Sequence, residues 1–341
     1  QVKKYAFEKA QYLTTITIPN ELTTIEQYAF KECEKLTQFI VKEGNSVYSV
    51  ESQGALIENK NKIIQYPMGN KEKNMYVIGE GIETIEGYAF YKTQFDFIKF
   101  NKEIKSIGEH AFEGVSEVTT LTIPTTVETI GTNAFKSMTK LRIFVSRSSK
   151  PISCGSEVFE SGIKVYMNKD STDSKLCSYE TTNKIVTSFG EAGEYIDYIT
   201  TTENEMIIYG KDAMIENETE ENQPWKEMRE SITKVTIDER VTTIGKYSFT
   251  SMTSLSTITI PTTMTSIGNN AFKGNDKLRS ITYDGDKQPS YCPNDAFHPG
   301  SVETIDLNDK YKQQEFCGML SGKGSYPKLP DECYPPSDSS S

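Results

Sequence analysis

The sequence predicts a β-rich solenoid, a chain wound into stacked coils of about 23 residues. Three observations predict it. A motif recurs at near-constant spacing, each copy alternates apolar and polar residues as a strand does, and a proline ends the strand at the same place in several copies.

The recurrence is plain in three segments. Leu13–Phe30 reads LTTITIPNELTTIEQYAF, Val118–Phe135 reads VTTLTIPTTVETIGTNAF, and Leu255–Phe272 reads LSTITIPTTMTSIGNNAF. The phenylalanine closing the motif falls at Phe7, Phe30, Phe90, Phe112, Phe135, Phe159, Phe249, Phe272 and Phe297, so the gaps are 23, 60, 22, 23, 24, 90, 23 and 25. Self-similarity at such a period marks a repeat architecture. Within a copy, Leu13, Ile16 and Ile18 point to one side, while Thr15 and Thr17 alternate to the other. Pro19 has no backbone donor and stops the strand. Leu22 and Ile25 start a return path, and Ala29 beside Phe30 forms the opposite wall. One coil cannot bury its own apolar face, so neighbours must stack.

The pattern I-P-x-x-V-x-x-I-G-x-x-A-F-x-x-C/M-x-x-L resembles BspA-type leucine-rich repeats, found in surface proteins of mucosal bacteria and parasitic protists. The resemblance is close over residues 13–36, 118–141 and 241–278. It implies a leucine-rich-repeat solenoid with parallel strands on the concave face and irregular or short helical turns on the convex face. It also accounts for the long gaps. Residues 44–79 resemble an inserted β-hairpin, with strands around 54–58 and 62–66 and a turn at Asn59–Asn61. Residues 194–231 resemble a β bridging module, matched by Gly210, Ala213, Met214, Pro224 and Trp225. The expected organisation is a first array at 1–180, a bridge at 181–231, a second array at 232–320, and a Pro/Ser-rich stalk at 321–341. The family's cysteine after Ala-Phe survives as Cys33, and Met138 and Met252 replace it elsewhere, which reads as a buried apolar filler.

Cys154 and Cys177 flank a segment, 151–177, that closes the first array. Cys292 and Cys317 flank the equivalent segment, 289–317, of the second. Open solenoid ends need atypical caps, and the disulfides Cys154–Cys177 and Cys292–Cys317 would staple them, each contributing about 2–4 kcal/mol. Zinc would need clustered ligands, and that spacing is absent. Two disulfides place the chain in an oxidising compartment. Cys33 is expected as a free core thiol, and Cys333 has no assigned partner. Asn217-Glu218-Thr219 is a glycosylation sequon.

Chemistry is sparse. The net charge of −11 argues against a nucleic-acid partner. His110 occupies a slot filled elsewhere by Tyr28, Tyr88, Asn133, Tyr247 and Asn270, so a structural role is expected. His298 has no nucleophile arranged near it in the sequence. There is no phosphate loop and no H-E-x-x-H. The acidic run Glu216–Glu221 lacks calcium-loop spacing. We therefore expect no catalytic residue, metal or cofactor.

A partner would meet the outward strand positions. Most are short and uncharged, such as Thr120, Thr122, Thr257 and Thr259, with Lys99 among them; Ile40, Phe97, Ile143 and Val145 are apolar where solvent is expected. The expected function is non-enzymatic adhesion or recognition at a cell surface, with a protein or glycoprotein ligand on a host cell, matrix or another microbe. Membrane attachment would come only through an anchor beyond the stalk. The alternative is a self-associating coat or spacer without a specific ligand.

Overall fold

The computed structural model describes residues 1–180, 185–297, 302, 304–307, 310–313 and 315–320. The expected stalk at 321–341, Cys333 and His298 lie outside them. The chain divides into two compact units, Gln1–Val186 and Thr187 onward, so the bridging strands belong to the second unit.

In the first unit each coil gives one strand to a main ladder. Thr15–Ile18 pairs in parallel with Gln38–Val41, and Met75–Val77 with Phe97–Lys99. Thr120–Ile123, Ile143–Ser146 and Lys164–Met167 form a third sheet. The alternation behaves as expected in the first strand, where Ile16 and Ile18 are buried and Thr15 and Thr17 exposed.

A second, return ladder runs beside it. Thr84–Ile85, Ser106–Ile107, Thr129–Ile130 and Ser153–Cys154 pair in parallel, one step per coil. The glycines after Ile107 and Ile130 make this possible. A Cβ on Gly108 would stand 2.4 Å from the Gly87 nitrogen, and one on Gly131 would stand 2.3 Å from the Glu109 nitrogen. Backbones this close leave no room for a side chain.

The insertion joins this same ladder. Tyr48–Val50, Leu56–Glu58 and Lys62–Gln65 are antiparallel to one another, and Lys62–Gln65 then pairs in parallel with Thr84–Ile85. The hairpin reverses at Asn59 and Lys60, both with positive φ (49° and 62°), as two-residue turns between twisted strands require.

In the second unit, Ile196–Thr201 is antiparallel to Glu205–Gly210. That strand leads in parallel to Lys234–Ile237, Thr257–Ile260, Ser280–Tyr283 and Thr304–Leu307. Helix is confined, among the described residues, to 3₁₀ turns at Glu220–Asn222 and Arg229–Ser231.

An aromatic stack forms the spine of each unit. Phe90, Phe112, Phe135 and Phe159 lie face to face, with centroids 5.0, 5.5 and 5.5 Å apart. Two members escaped the phenylalanine ruler. Tyr66 stacks on Phe90 at 6.1 Å, and Trp225 stacks on Phe249 at 5.6 Å. Trp225 also donates from Nε1 to the Ser248 carbonyl at 3.0 Å. Each fully buried ring contributes about 2–3 kcal/mol, plus about 0.5–1.5 kcal/mol per stacked pair.

In most coils the residue two before the motif phenylalanine is left-handed. Tyr28, Tyr88, His110, Asn133, Tyr247 and Asn270 have φ between 54° and 63°. This explains His110. Its ring stacks on Tyr88 at 4.6 Å, and its Nδ1 pairs with Glu113.

Both caps share one construction. Cys177 and Cys317 sit in the turns of two-residue hairpins, Lys175–Leu176 with Tyr179–Glu180 and Glu315–Phe316 with Met319–Leu320. They are bonded to Cys154 and Cys292, 23 and 25 residues upstream. Tyr179 then closes the first stack edge-on against Phe159 at 5.2 Å, and Phe316 lies 6.2 Å from Phe297.

Candidate recognition surface

Strand pairing sets the outward residues in rows. One row of the first unit runs Thr120, Ile143, Lys164 and the next runs Thr122, Val145, Tyr166; a further pair of strands sets Phe97 beside Met75 and Lys99 beside Val77. In the second unit Thr257 follows Lys234, and Thr259 follows Thr236.

The expected apolar patch does not survive intact. Phe97, Thr120 and Val145 are buried, at 8%, 5% and 0% exposure. Period-2 alternation identifies the face a side chain takes but not what crowds that face. Val145 stands in its row between Thr122 and the large ring of Tyr166, itself buried, on strands only about 4.8 Å apart. Lys99, Thr122, Ile143, Thr257 and Thr259 are half-buried, and Ile40 alone of the apolar set is exposed, at 38%. The sequon is also corrected. Asn217 is 3% exposed, so its amide is turned inward rather than offered on a solvated loop.

Ile40 lies where the main ladder is interrupted. Gln38–Val41 pairs with Thr15–Ile18 only, and Met75–Val77 pairs with Phe97–Lys99 only. The outer edge of Gln38–Val41 therefore carries no strand. A cleft of about 600 Å³ opens beside it, lined by Thr37, Gln38, Phe39, Val50, Glu51 and Lys73 among others. Val50 is, like Ile40, exposed. The edge of Met75–Val77 is blunted instead. Gln53 presents its side-chain amide as a substitute strand, accepting from the Val77 N–H at 3.0 Å and donating to the Val77 carbonyl. Tyr76 donates to Glu51 at 2.9 Å, and burial together with that carboxylate pushes its phenol well above the usual range. The segment after the cleft is pinned at Gly69, whose N–H donates to the Leu36 carbonyl at 2.7 Å and where a Cβ would meet the Lys35 backbone at 2.7 Å.

On its other side the hairpin opens a second cleft, of about 380 Å³, between the Tyr28 coil and the Lys62–Gln65 strand. Elsewhere successive turns are sewn together by Phe7 N–H to Ala29, Tyr66 N–H to Ala89 and Phe90 N–H to Ala111, all at 2.8 Å. Among the described residues no such bond joins Phe30 to the Tyr66 coil. The cores divide at the same place, with Phe30 and Tyr66 in different apolar clusters.

The slot read as an apolar filler proves partly polar. Cys33, Met138 and Met252 are buried there, but so is Asn275. Cys33 Sγ donates to the Phe7 carbonyl at 2.9 Å, and Asn275 Nδ2 donates to the Phe249 carbonyl at 2.9 Å, the same position one coil back. Burial raises the Cys33 thiol pKa, which keeps it a donor.

Among the described residues, no group of three or more His, Cys, Asp or Glu is placed to hold a metal, and no helix is long and apolar enough to cross a membrane.

The structure of a leucine-rich repeat protein from Eubacterium ventriosum is 20% identical, with TM-score 0.40, covering 76% of this chain and 58% of that one. A leucine rich cell surface protein from Faecalibacterium prausnitzii is 18% identical, with TM-score 0.30, covering 89% and 82%. The pneumococcal vaccine antigen PcpA is 15% identical, with TM-score 0.24, covering 89% and 86%. No curated protein matches the sequence. The BspA type leucine rich repeat region matches in six copies, over residues 1–54, 61–172 and 226–317. With repeats over most of its length, the chain belongs to the BspA-type leucine-rich repeat family.

Proposed function

We propose that this chain is a non-catalytic extracellular recognition module that holds a protein partner at the interrupted main ladder of its first unit. One observation carries the reading: Gln38–Val41 is paired on one edge only, with Ile40 exposed beside a cleft. An open strand edge offers main-chain donors and acceptors to an extended segment. Exposed apolar residues at that edge add a side-chain contact. The two disulfides support an oxidising compartment, hence the cell surface. The partner class is a protein or glycoprotein of a host cell, matrix or neighbouring microbe.

The test is binding of the isolated chain to epithelial cells and to immobilised matrix glycoproteins, beside the variants Ile40→Asp and Ile40→Pro. Saturable binding lost in both variants, with an unchanged circular dichroism spectrum, supports the proposal. Concentration-dependent self-assembly in sedimentation velocity, with no saturable ligand, would replace it with the coat or spacer role.

A further inference from the structure

We propose that the inserted hairpin is a joint, about which residues 1–45 bend as one body against the rest of the first unit. The joint does not depend on what the strand edge binds. The first cleft lies in it, however, so the joint sets the width of the site proposed above.

A coil holds its neighbour by three devices: the main ladder, the return ladder and the aromatic spine. In a one-dimensional stack, the interface that lacks them is the one that yields. The coil that carries the hairpin is split between its neighbours. Its main strand, Gln38–Val41, pairs back to Thr15–Ile18 and not on to Met75–Val77. Its return strand, Lys62–Gln65, pairs on to Thr84–Ile85 and otherwise with Leu56–Glu58, not back to Ile25. Its ring, Tyr66, stacks on Phe90 at 6.1 Å, while Phe30 stacks on Phe7 at 5.7 Å. Among the described residues no ring contact joins Phe30 to Tyr66. All three devices therefore fail along one oblique line, and the hairpin lies in it.

A second break in the same unit shows the difference. The main ladder also stops between Phe97–Lys99 and Thr120–Ile123. There the return ladder runs through, from Ser106–Ile107 to Thr129–Ile130, and so does the spine, from Phe112 to Phe135 at 5.5 Å.

The apolar core divides along the line of the hairpin. Leu56 belongs to the core of the first body, and Ala55 and Ile57 belong to the core of the second. Alternate residues of one strand thus face the two bodies, and the hairpin is the wall between them. The joins across the line are mostly side chains. The Ile25 N–H donates to Tyr48 Oη at 2.7 Å in place of a strand carbonyl. Tyr28 meets the Tyr88 ring at 5.4 Å, and Lys31 lies over that ring at 4.7 Å. The Gly69 N–H bond to Leu36, at 2.7 Å, is main chain to main chain. Both clefts have walls from both bodies, Gln38 against Lys73 in the first and Tyr28 against Lys62 in the second.

The experiment is double electron–electron resonance on the full chain without ligand. Spin labels are placed by Glu21→Cys with Thr125→Cys across the joint, and by Glu80→Cys with Lys169→Cys within the second body. All four positions are exposed, each follows a main strand, and the members of each pair are four coils apart. Cys33 is buried, and the other described cysteines are in disulfides. We expect a distance distribution across the joint at least twice as wide as that within the second body. Tyr48→Phe, which leaves the Ile25 N–H without its acceptor, should widen the first distribution further and leave the second unchanged. Equal widths for the two pairs overturn the proposal, as does Tyr48→Phe that stays folded and widens both pairs alike or neither. If Tyr48→Phe loses its fold, the comparison of the two pairs in the parent chain decides. No partner enters the measurement, so a failed joint and a failed strand-edge site are told apart.

Discussion

Phe249 is the most direct test of the aromatic spine. It is wholly buried between Trp225, at 5.6 Å, and Phe272, at 5.2 Å. Truncation to alanine leaves its backbone bonds to Ala271 and Asn275 in place and removes only the ring. A buried Phe→Ala change costs about 3–5 kcal/mol in transfer and cavity terms. Two stacked pairs, each worth about 0.5–1.5 kcal/mol, place this site toward the upper part of that range, near 4–5 kcal/mol. With a urea m-value of about 2 kcal/mol/M, the midpoint falls by roughly 2 M. Trp225 is the chain's single tryptophan and touches the mutated ring, so its fluorescence follows the unit concerned. Phe249→Leu, which keeps most of the volume, should lose only about 1–1.5 kcal/mol. A shift below about 0.5 M for Phe249→Ala would show that the stack does not carry the fold of this unit.

Three further outcomes follow from other contacts. Asn275→Ala strips the bonds to the Phe249 carbonyl and the Met252 N–H and should cost about 2–5 kcal/mol; Cys33→Ala should cost about 1–2 kcal/mol, and thermal unfolding ranks the two. Loops of 23 and 25 residues imply that replacing Cys154 or Cys292 with serine lowers stability by about 3.4 and 3.5 kcal/mol at 25 °C; equal unfolding curves with and without reductant would contradict this. Burial pushes Tyr48 and Tyr66 up to about 12. The native state thus favours the neutral phenols: their contribution is full below pH ~10 and is lost as pH rises toward 12. Ultraviolet titration should show these phenols ionising late, together with alkaline unfolding, and ordinary titration of every tyrosine near pH 10 would refute it.

What the sequence made legible is the periodic part. The 23-residue ruler finds the parallel strands, because Thr15↔Gln38 and Thr257↔Ser280 are spaced at that interval. It does not find Tyr66 or Trp225, because the slot selects for a large flat ring and the ruler counted only phenylalanine. Each lies one coil length before a motif phenylalanine, at 24 residues from Phe90 and Phe249, so the signal was present. The strand Met75–Val77 was absorbed into the expected hairpin, since its alternation is as short as that of the hairpin strands. Burial of Phe97, Val145 and Asn217 depends on residues distant in sequence, and no local pattern encodes that. The two clefts arise where periodicity fails, and a method that reads periodicity sees only a gap there.

The paired caps bear on how such chains change over generations. Each cap is built from its own last coil and reaches back only 23 or 25 residues. Contacts in the body run mainly between adjacent coils, as the one-step registers show. Duplication or deletion of a whole 23-residue coil inside either array therefore leaves its terminus chemically unaltered. Array length is free to drift by unequal recombination while the ends stay sealed, and surface reach becomes a heritable variable uncoupled from the folding of the final coil.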